Sequence, residues 1–150
     1  MKITLLSFLL IIANYIFGQS IDEFPKNMTV INNGKDTLFT SVQVESYFKG
    51  GQNAWIDFLT KNLNSKLGSK YLKIPKGSTS VKQTVKAIFV VNKNGELFDI
   101  NIENINEVHP MLAEEVIRVL KLSPKWEPGY QNGVAVKSRK RQSISFVVSD

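Results

Sequence analysis

The stretch PKWEPGYQNG, residues 124–133, decides which fold this chain adopts. Pro124 ends the helical pattern before it, because its ring clashes with the preceding turn and its nitrogen has no proton to donate. Trp126 brings a large apolar surface to the same corner, and Pro128-Gly129 and Asn132-Gly133 are turn dipeptides. The stretch therefore predicts that the chain leaves a helix, anchors a corner with a tryptophan, and turns into a final strand.

Two amphipathic helices are predicted upstream of this corner. The first runs from Gln52 to Leu63, behind the pair Gly50-Gly51, and its apolar residues fall on one face at helical spacing: Trp55, Phe58, Leu59 and Leu63. The second starts at Pro110, where a missing N–H costs nothing in the first turn, and runs up to Leu122. Residues 64–80 are polar and interrupted by Gly, Pro and Ser, so they are predicted to form a loop.

A β-hairpin is predicted between the two helices. Val81 to Val91 alternates for most of its length, Asn92 to Gly95 is a turn, and Glu96 to Asn104 returns with three residues expected in the core: Phe98, Ile100 and Ile102. The last strand is predicted within Val134 to Val148. The order helix, strand, strand, helix, strand indicates an α+β fold, with a small antiparallel sheet of about three strands and two helices packed on one face.

The N-terminus has the order of regions found in a secretory signal peptide. Lys2 supplies a positive charge, Ile3 to Phe17 is mostly apolar and uncharged, and Gly18 is a small residue at the expected cleavage point. The apolar run is shorter than the ~20 residues that a spanning helix needs, and a retained membrane anchor is the alternative. We therefore predict a signal peptide over residues 1–18, an extension over 19–46 with a possible hairpin at Asn33-Gly34, and a domain over 47–150.

The residue types that carry most enzyme chemistry are sparse. The chain has no Cys, and its one histidine, His109, stands directly before Pro110 at a helix start. No metal-ligand cluster, P-loop or nucleophile motif is present, and the adjacent Glu114 and Glu115 diverge by about 100° on a helix. The formal charge of +6 comes from lysines scattered among acids, with one dense cluster that lacks interleaved aromatics. We expect no catalytic residue, cofactor, metal site or nucleic-acid partner.

Three motifs follow one another at compatible spacing over about residues 42–148. The first is FKGG at residues 48–51 with the helix behind it, the second is FVVNKNG at 89–95, and the third is PKWEPG at 124–129 followed by Asn132-Gly133. Together they make the chain resemble the C-terminal domain of TonB-type energy transducers, in its Bacteroidetes-type form. The family pattern at the first motif is FPGG, which this chain meets with a lysine in place of the proline.

The resemblance implies a mechanical role in the cell envelope. Such transducers are anchored in the inner membrane, couple to the ExbB/ExbD motor, and hold the TonB box of outer-membrane receptors by pairing it with the last strand of the domain. It therefore implies a periplasmic, non-enzymatic binding module in TonB-dependent transport. The partner-binding residues would be Val136, Lys137, Ser138, Arg139, Lys140, Arg141, Gln142, Ser143 and Ile144. The structural residues would be Gly50, Gly51, Trp55, Pro124, Trp126, Pro128 and Gly129.

Two departures from the family pattern keep other functions open. The long Pro-rich spacer of the family has no counterpart in residues 20–46, and the N-terminus has the features of a cleavable segment. The alternatives are a short membrane-anchored transducer that works with ExbB/ExbD from the inner membrane, and a structural envelope protein that assembles with itself, for instance as a homodimer, through the same strand.

The last strand carries an unusual pattern. Val136 is followed on the same face by Ser138, Lys140 and Gln142 before apolar residues resume at Ile144, so either the strand begins late, near Gln142, or a bulge shifts its phase. A basic run lies in the same region: Lys137, Arg139, Lys140 and Arg141. These charges either keep an exposed strand from aggregating or contact an acidic peptide segment.

Overall fold

A computed structural model of the protein describes residues 30–32 and 37–150. The predicted signal peptide and the Asn33-Gly34 turn lie outside the described residues. The described helices are α1 (Gly51–Asn62), α2 (Lys66–Tyr71), a 3₁₀ helix (Ile105–Glu107) and α3 (Pro110–Leu122). The described strands are β1 (Val30–Asn32), β2 (Thr37–Phe39), β3 (Ser80–Val91), β4 (Leu97–Ile102), β5 (Gly129–Gln131), β6 (Val134–Val136) and β7 (Ser138–Ser149).

Five of these strands form one mixed sheet in the order β1-β2-β7-β3-β4. The long antiparallel pair of β3 and β7 is its centre, and it runs without a break from Ser80 opposite Ser149 to Val91 opposite Ser138. β4 pairs antiparallel with β3, as the predicted hairpin requires, and β2 meets β7 in parallel only at Phe39 and Ser138. The predicted α+β class is confirmed. The structure adds four strands to the three that the sequence predicts: β1 and β2 in the main sheet, and β5 and β6 as a separate pair.

The two long helices begin where the sequence predicts, for local reasons that the structure shows. Gly50 precedes α1 with φ of 90°, a left-handed conformation that costs glycine little, and a Cβ there would come within 2.8 Å of the Cβ of Ala54. His109 precedes α3, and its Nδ1 accepts a hydrogen bond from the Met111 amide at 3.3 Å, while Pro110 takes the first helical position. His109 is therefore the N-cap residue of α3.

The hydrophobic core lies between one face of the sheet and the helices. Buried residues of β3 and β7 face the helices there: Val85, Ala87, Phe89, Val91, Ile144 and Phe146. Helix α3 contributes the largest apolar share from the other side: Leu112, Ala113, Val116 and Leu120. An aromatic cluster closes one end of this core, with Trp126 at ring-centroid distances of 5.8 Å from Phe48, 5.5 Å from Trp55 and 5.2 Å from Phe89.

The tryptophan corner is joined to the turn of the β3–β4 hairpin through the backbone. The Trp126 amide donates to the Gly95 carbonyl at 2.8 Å, and a Cβ on Gly95 would collide with the Trp126 carbonyl oxygen. Gly95 also has φ of 80°, so both its conformation and its surroundings exclude a side chain. The segment before α1 holds the other side of the corner, since Tyr47 and Glu127 exchange backbone hydrogen bonds of 3.1 and 2.8 Å.

A buried carboxylate links the end of α1 to α3. Glu115 accepts hydrogen bonds from the Asn64 amide at 2.7 Å and from two nitrogens of Arg118 at 2.7 and 2.6 Å. Arg118 also donates to the Asn62 carbonyl at 2.7 Å. This carbonyl lies in the last turn of α1, where the helix itself supplies no donor. The hydrogen bonds from Arg118, which outweigh the effect of burial, and from Asn64 lower the pKa of Glu115.

Two local predictions are wrong. Residues 64–80 are not entirely loop, because α2 forms within them: Leu67 and Leu72 pack on the core, and Gly68 lies against Val148 of β7. Phe98 does not face the core, since 37% of its surface is exposed. The reason is a β-bulge, in which Asp99 and Ile100 together oppose Phe89, and Asp99 adopts a left-handed φ of 53°. The bulge changes the strand's phase, so Leu97 packs on the core in place of Phe98.

Candidate functional site

The outer edge of β7 is an open sheet edge over most of its length. One side of the strand is fully paired with β3, from Ser138 to Ser149. On the other side β2 pairs only at Ser138, where the Phe39 amide donates to the Lys137 carbonyl at 3.0 Å. Among residues 30–32 and 37–150, no other strand pairs with this side. The open stretch from Lys140 to Ser149 spans about 33 Å at ~3.3 Å per residue.

The backbone groups that point to this open edge belong to alternate residues. The amide of Asp150 donates to the Thr79 carbonyl at 3.2 Å, so even-numbered residues direct their backbone groups toward β3. The carbonyl of Lys137 points the other way, toward β2. The same alternation along β7 directs the N–H and C=O groups of five further residues to the open edge: Arg141, Ser143, Ser145, Val147 and Ser149.

The side chains of β7 divide cleanly between the two faces of the sheet. Even-numbered residues face the helices, and Ser138, Ile144 and Phe146 are buried there. Arg141, Ser143, Ser145 and Val147 are exposed on the opposite face. The register with β3 contains no shift, so neither sequence interpretation of the strand's phase is right. The strand begins at Ser138, ahead of Gln142, and Lys140 and Gln142 occupy its inner face beside Tyr47, Phe48 and Gln52.

The range Val134 to Val148, within which the last strand was predicted, contains two strands, and the last one, β7, extends one residue beyond it to Ser149. Val134–Val136 is a separate strand, β6, that pairs with β5 across the turn Asn132-Gly133. Both turn residues have positive φ, 51° and 74°, as a two-residue hairpin turn of this kind requires. Sequence alternation missed this because β6 and β7 are separated only by Lys137, so their patterns run together.

The predicted partner-binding residues therefore lie in three different settings. Val136 is buried in β6, Lys137 connects the two strands, and Ser138 is buried at the contact with β2. Ile144 lies in the core, so only its backbone is near the edge, and that backbone faces β3. The remaining predicted residues follow one another in β7: Arg139, Lys140, Arg141, Gln142 and Ser143. Sequence reasoning missed Ser145, Val147 and Ser149, although their alternation with Ile144, Phe146 and Val148 was visible.

The predicted structural residues surround the aromatic cluster and the corner. Gly50 and Gly51 lead into α1, which carries the buried Trp55. Pro124 follows the end of α3, and Trp126 is 4% exposed, with its indole N–H donating to Ser123 Oγ at 2.7 Å. Pro128 immediately precedes β5, and Gly129 is buried at the start of that strand. These residues hold the frame against which β7 lies, and none lines the open edge.

The basic residues around the start of β7 differ in what they contact. Lys140 Nζ lies 3.6 Å from Glu45 Oε2, Arg141 Nε donates to Glu103 Oε1 at 2.8 Å, and Lys137 Nζ lies 4.8 Å from the ring centroid of Phe98. Arg139 has no ion pair or hydrogen bond through its side chain within residues 37–150. It lines a cavity of about 250 Å³ on the outer sheet face with Ile88, Val90, Asp99 and Asn101.

The opposite edge of the sheet, β4, is a poor place for a further strand. Its register is broken by the bulge at Asp99, and the left-handed residue bends the strand away from a straight ladder. β7 is twice as long as β4 and has an unbroken register along its paired side. The fold therefore offers one long straight edge among the described residues, and that edge belongs to β7.

The comparison with protein families matches the strands that form this edge. Residues 81–148 match the family model of the Gram-negative bacterial TonB protein C-terminal, a range that contains the whole β3–β7 pairing apart from its last residue pair. Over these residues the chain is similar to the TonB C-terminal domain family, in agreement with the resemblance seen in the sequence. TonB C-terminal domains are non-enzymatic protein-interaction modules of the cell envelope, which interact with proteins such as outer-membrane receptors. No curated protein and no solved structure matches the chain.

Two further observations concern metal ligands and membrane-spanning helices. Within the part of the chain that the structure describes, no three acidic or histidine side chains come together as a metal site. In the same part, none of the helices has both the length and the apolar character needed to cross a membrane.

Proposed function

We propose that this protein is a periplasmic binding module that pairs the outer edge of β7 with extended, TonB box-like segments of outer-membrane receptors, as part of TonB-dependent transport. The observation that carries the proposal is the row of outward-facing backbone groups from Arg141 to Ser149, which no strand among the described residues covers. An unpaired row of this kind is a template for a further strand.

The binding mode would be β-augmentation. An extended peptide beside β7 would exchange main-chain hydrogen bonds with Arg141, Ser143, Ser145 and Val147, so its affinity would depend little on its side chains. The long pairing of β7 with β3 and the aromatic cluster beneath it make the edge a rigid support. Such a contact transmits force or holds a partner in place without making or breaking a covalent bond.

The pairing mode can be tested with N-methylated peptides. In an added strand only alternate amides face β7, so methylating that phase removes the donors, while methylating the other phase leaves them intact. A receptor TonB-box peptide would be titrated into the full chain in its unmodified form and in the two alternately methylated forms. The proposal expects one methylated form to bind like the parent and the other to bind at least about tenfold more weakly.

Two outcomes would overturn the proposal. Equal binding by both methylated forms would show that the peptide does not pair as a strand. Chemical-shift changes confined to β4 or to the helices would place the peptide elsewhere on the molecule.

Self-assembly is a second candidate, because an open edge pairs with a second copy as readily as with another protein. The exposed Val147, at 63%, lies on the same strand and favours such a contact. Sedimentation over a range of concentrations tests it: a dimer that dissociates when the TonB-box peptide is added would mean that both partners use β7. A short transducer that works with ExbB/ExbD remains the third reading, and the intact mass of the native protein, with or without residues 1–18, separates it from an exported module.

A further inference from the structure

The charges along the open edge of β7 are unevenly distributed. Arg139, Lys140 and Arg141 stand together at one end, and the stretch from Gln142 to Asp150 contains no cation and ends in an acid. A strand added to this edge would therefore meet positive charge at one end and none at the other. Main-chain pairing alone gives no reason for a peptide to prefer one position along the edge, but this charge distribution does.

Arg139 is the cation in this group that can take a new partner without losing an existing one. Arg141 is bonded to Glu103 and Lys140 lies near Glu45, whereas the Arg139 side chain has no ion pair or hydrogen bond within residues 37–150. Its side chain is half-buried and lines the outer-face cavity together with Ile88, Val90, Asn101 and Asp99. A charge that is partly withdrawn from water is screened less by salt than a fully exposed one.

The contact with β2 fixes where a partner strand must end. β2 pairs with β7 at Ser138, and the Phe39 amide occupies the Lys137 carbonyl. A peptide on the edge can therefore extend only as far as the neighbourhood of Arg139 before it meets β2. The terminal residues of the paired segment are thus brought next to the basic end of the strand.

We propose that the β7 edge selects extended peptides that carry an acidic residue at the end of the paired segment, and that Arg139, which lies beside that end, provides this selectivity through a diagonal contact with the acidic side chain. This inference rests on the proposed function, since it presupposes that a peptide pairs with β7. Opposite charges facing each other on neighbouring strands contribute modestly, which corresponds to a preference of about 2- to 5-fold in affinity.

The test uses two synthetic peptides that differ only in charge. Both have a central Val-Thr-Val-Thr-Val segment, flanked at both ends by pairs of Glu in one peptide and pairs of Gln in the other, so the direction of pairing does not matter. Each is titrated into the full chain and into Arg139→Gln, Arg139→Lys and Lys121→Gln, with dissociation constants and β7 amide shifts measured. Lys121→Gln removes the same charge from α3, away from the edge.

The parent chain and Lys121→Gln are expected to bind the Glu peptide about 2- to 5-fold more tightly than the Gln peptide. Arg139→Lys should keep most of this preference, because it keeps the positive charge. Arg139→Gln should bind the two peptides with nearly equal affinity. A preference that persists in Arg139→Gln, or equal affinities of the parent chain for the two peptides, would overturn the inference. The proposed function would still stand in that case if the peptides shift the β7 amide signals. If neither peptide shifts the β7 amides, the proposed function fails as well. Unchanged thermal unfolding of Arg139→Gln excludes misfolding as the cause.

Discussion

Single residues at the Trp126 corner decide whether the sheet and helices meet correctly. Trp126 packs its ring on Phe48, Trp55 and Phe89, donates its indole N–H to Ser123, and bonds through its backbone to Gly95. The motif PKWEPG is thus coupled to the turn motif NKNG, which lies about thirty positions earlier in the chain. This coupling explains why both motifs occur together in a chain of this fold.

Gly95→Ala is expected to destabilise the protein by about 2–4 kcal/mol, because the new Cβ would collide with the Trp126 carbonyl oxygen and φ is 80°. Gly133→Ala is the matched control: Gly133 has a similar φ of 74°, but a Cβ there meets nothing within 4 Å. Urea unfolding of both variants separates the two effects. Equal losses would mean that backbone strain alone matters and that the contact between Gly95 and Trp126 does not.

At the scale of elements, the ion pair of Glu115 and Arg118 on α3 joins that helix to the end of α1. Glu115 is buried on α3 and receives hydrogen bonds from Arg118 and from the Asn64 amide just beyond α1. A carboxylate with bonds of this kind is stabilised in its charged form, and its folded-state pKa lies below the unfolded value of ~4.3. Its contribution to stability is therefore fully present above the unfolded pKa and is lost as pH falls through the folded pKa.

Glu115→Gln is expected to lower the free energy of unfolding by about 1–3 kcal/mol at neutral pH, because the charge-assisted bonds are replaced by weaker ones. The difference between parent and variant should shrink as the pH falls below the unfolded pKa of ~4.3 and through the lowered folded pKa of Glu115. Denaturation curves from pH 7 to 3 measure this, with the exposed Glu114→Gln as the control. A difference that stays constant down to the lowest pH would refute the electrostatic link.

Some of the helices, strands and turns could be predicted from the sequence, and others could not. The two long helices, the β3–β4 hairpin and the Trp126 corner could be predicted, since each has a local signal: a cap, a turn dipeptide or an amphipathic period. The bulge at Asp99 could not be predicted, because an alternating pattern is also expected of an unbroken strand. Only the pairing with β3 reveals the extra residue. The pairing of Phe39 with Ser138 depends on residues far apart in the chain, and no local pattern contains it.

The candidate site was predictable in part for the same reason. The region of the last strand was predicted from the pattern of the chain after the Trp126 corner, but the limits and the phase of the strand were not. Ser138, Lys140 and Gln142 occupy inner-face positions where apolar residues are the usual choice, so the alternation on which the prediction relied weakens there. In the structure, the crossing segment from Val44 to Phe48 shields this polar part of the face: Val44 exchanges backbone hydrogen bonds with Tyr130, and Glu45 lies 3.6 Å from Lys140.

The whole molecule combines a buried frame with an open edge. The core, the aromatic cluster and the Glu115 link hold β3 and β7 in place, and β4 ends the sheet on one side with a bulge. β2 covers only the first residue of β7 on the other side. Under the proposed function, the remaining edge of β7 is free in the unbound protein and becomes paired when an extended peptide binds.

Residue-resolved hydrogen exchange of the β7 amides in the full chain, with and without a TonB-box peptide, tests this claim most directly. In the free protein the amides of Gln142, Ile144, Phe146 and Val148 should exchange slowly, because they face β3, and those of Arg141, Ser143, Ser145 and Val147 should exchange quickly. Saturating peptide should slow the second set and leave the first unchanged. Odd-numbered amides that are already slow in the free protein, or that stay fast at saturation, would contradict the proposed pairing of β7.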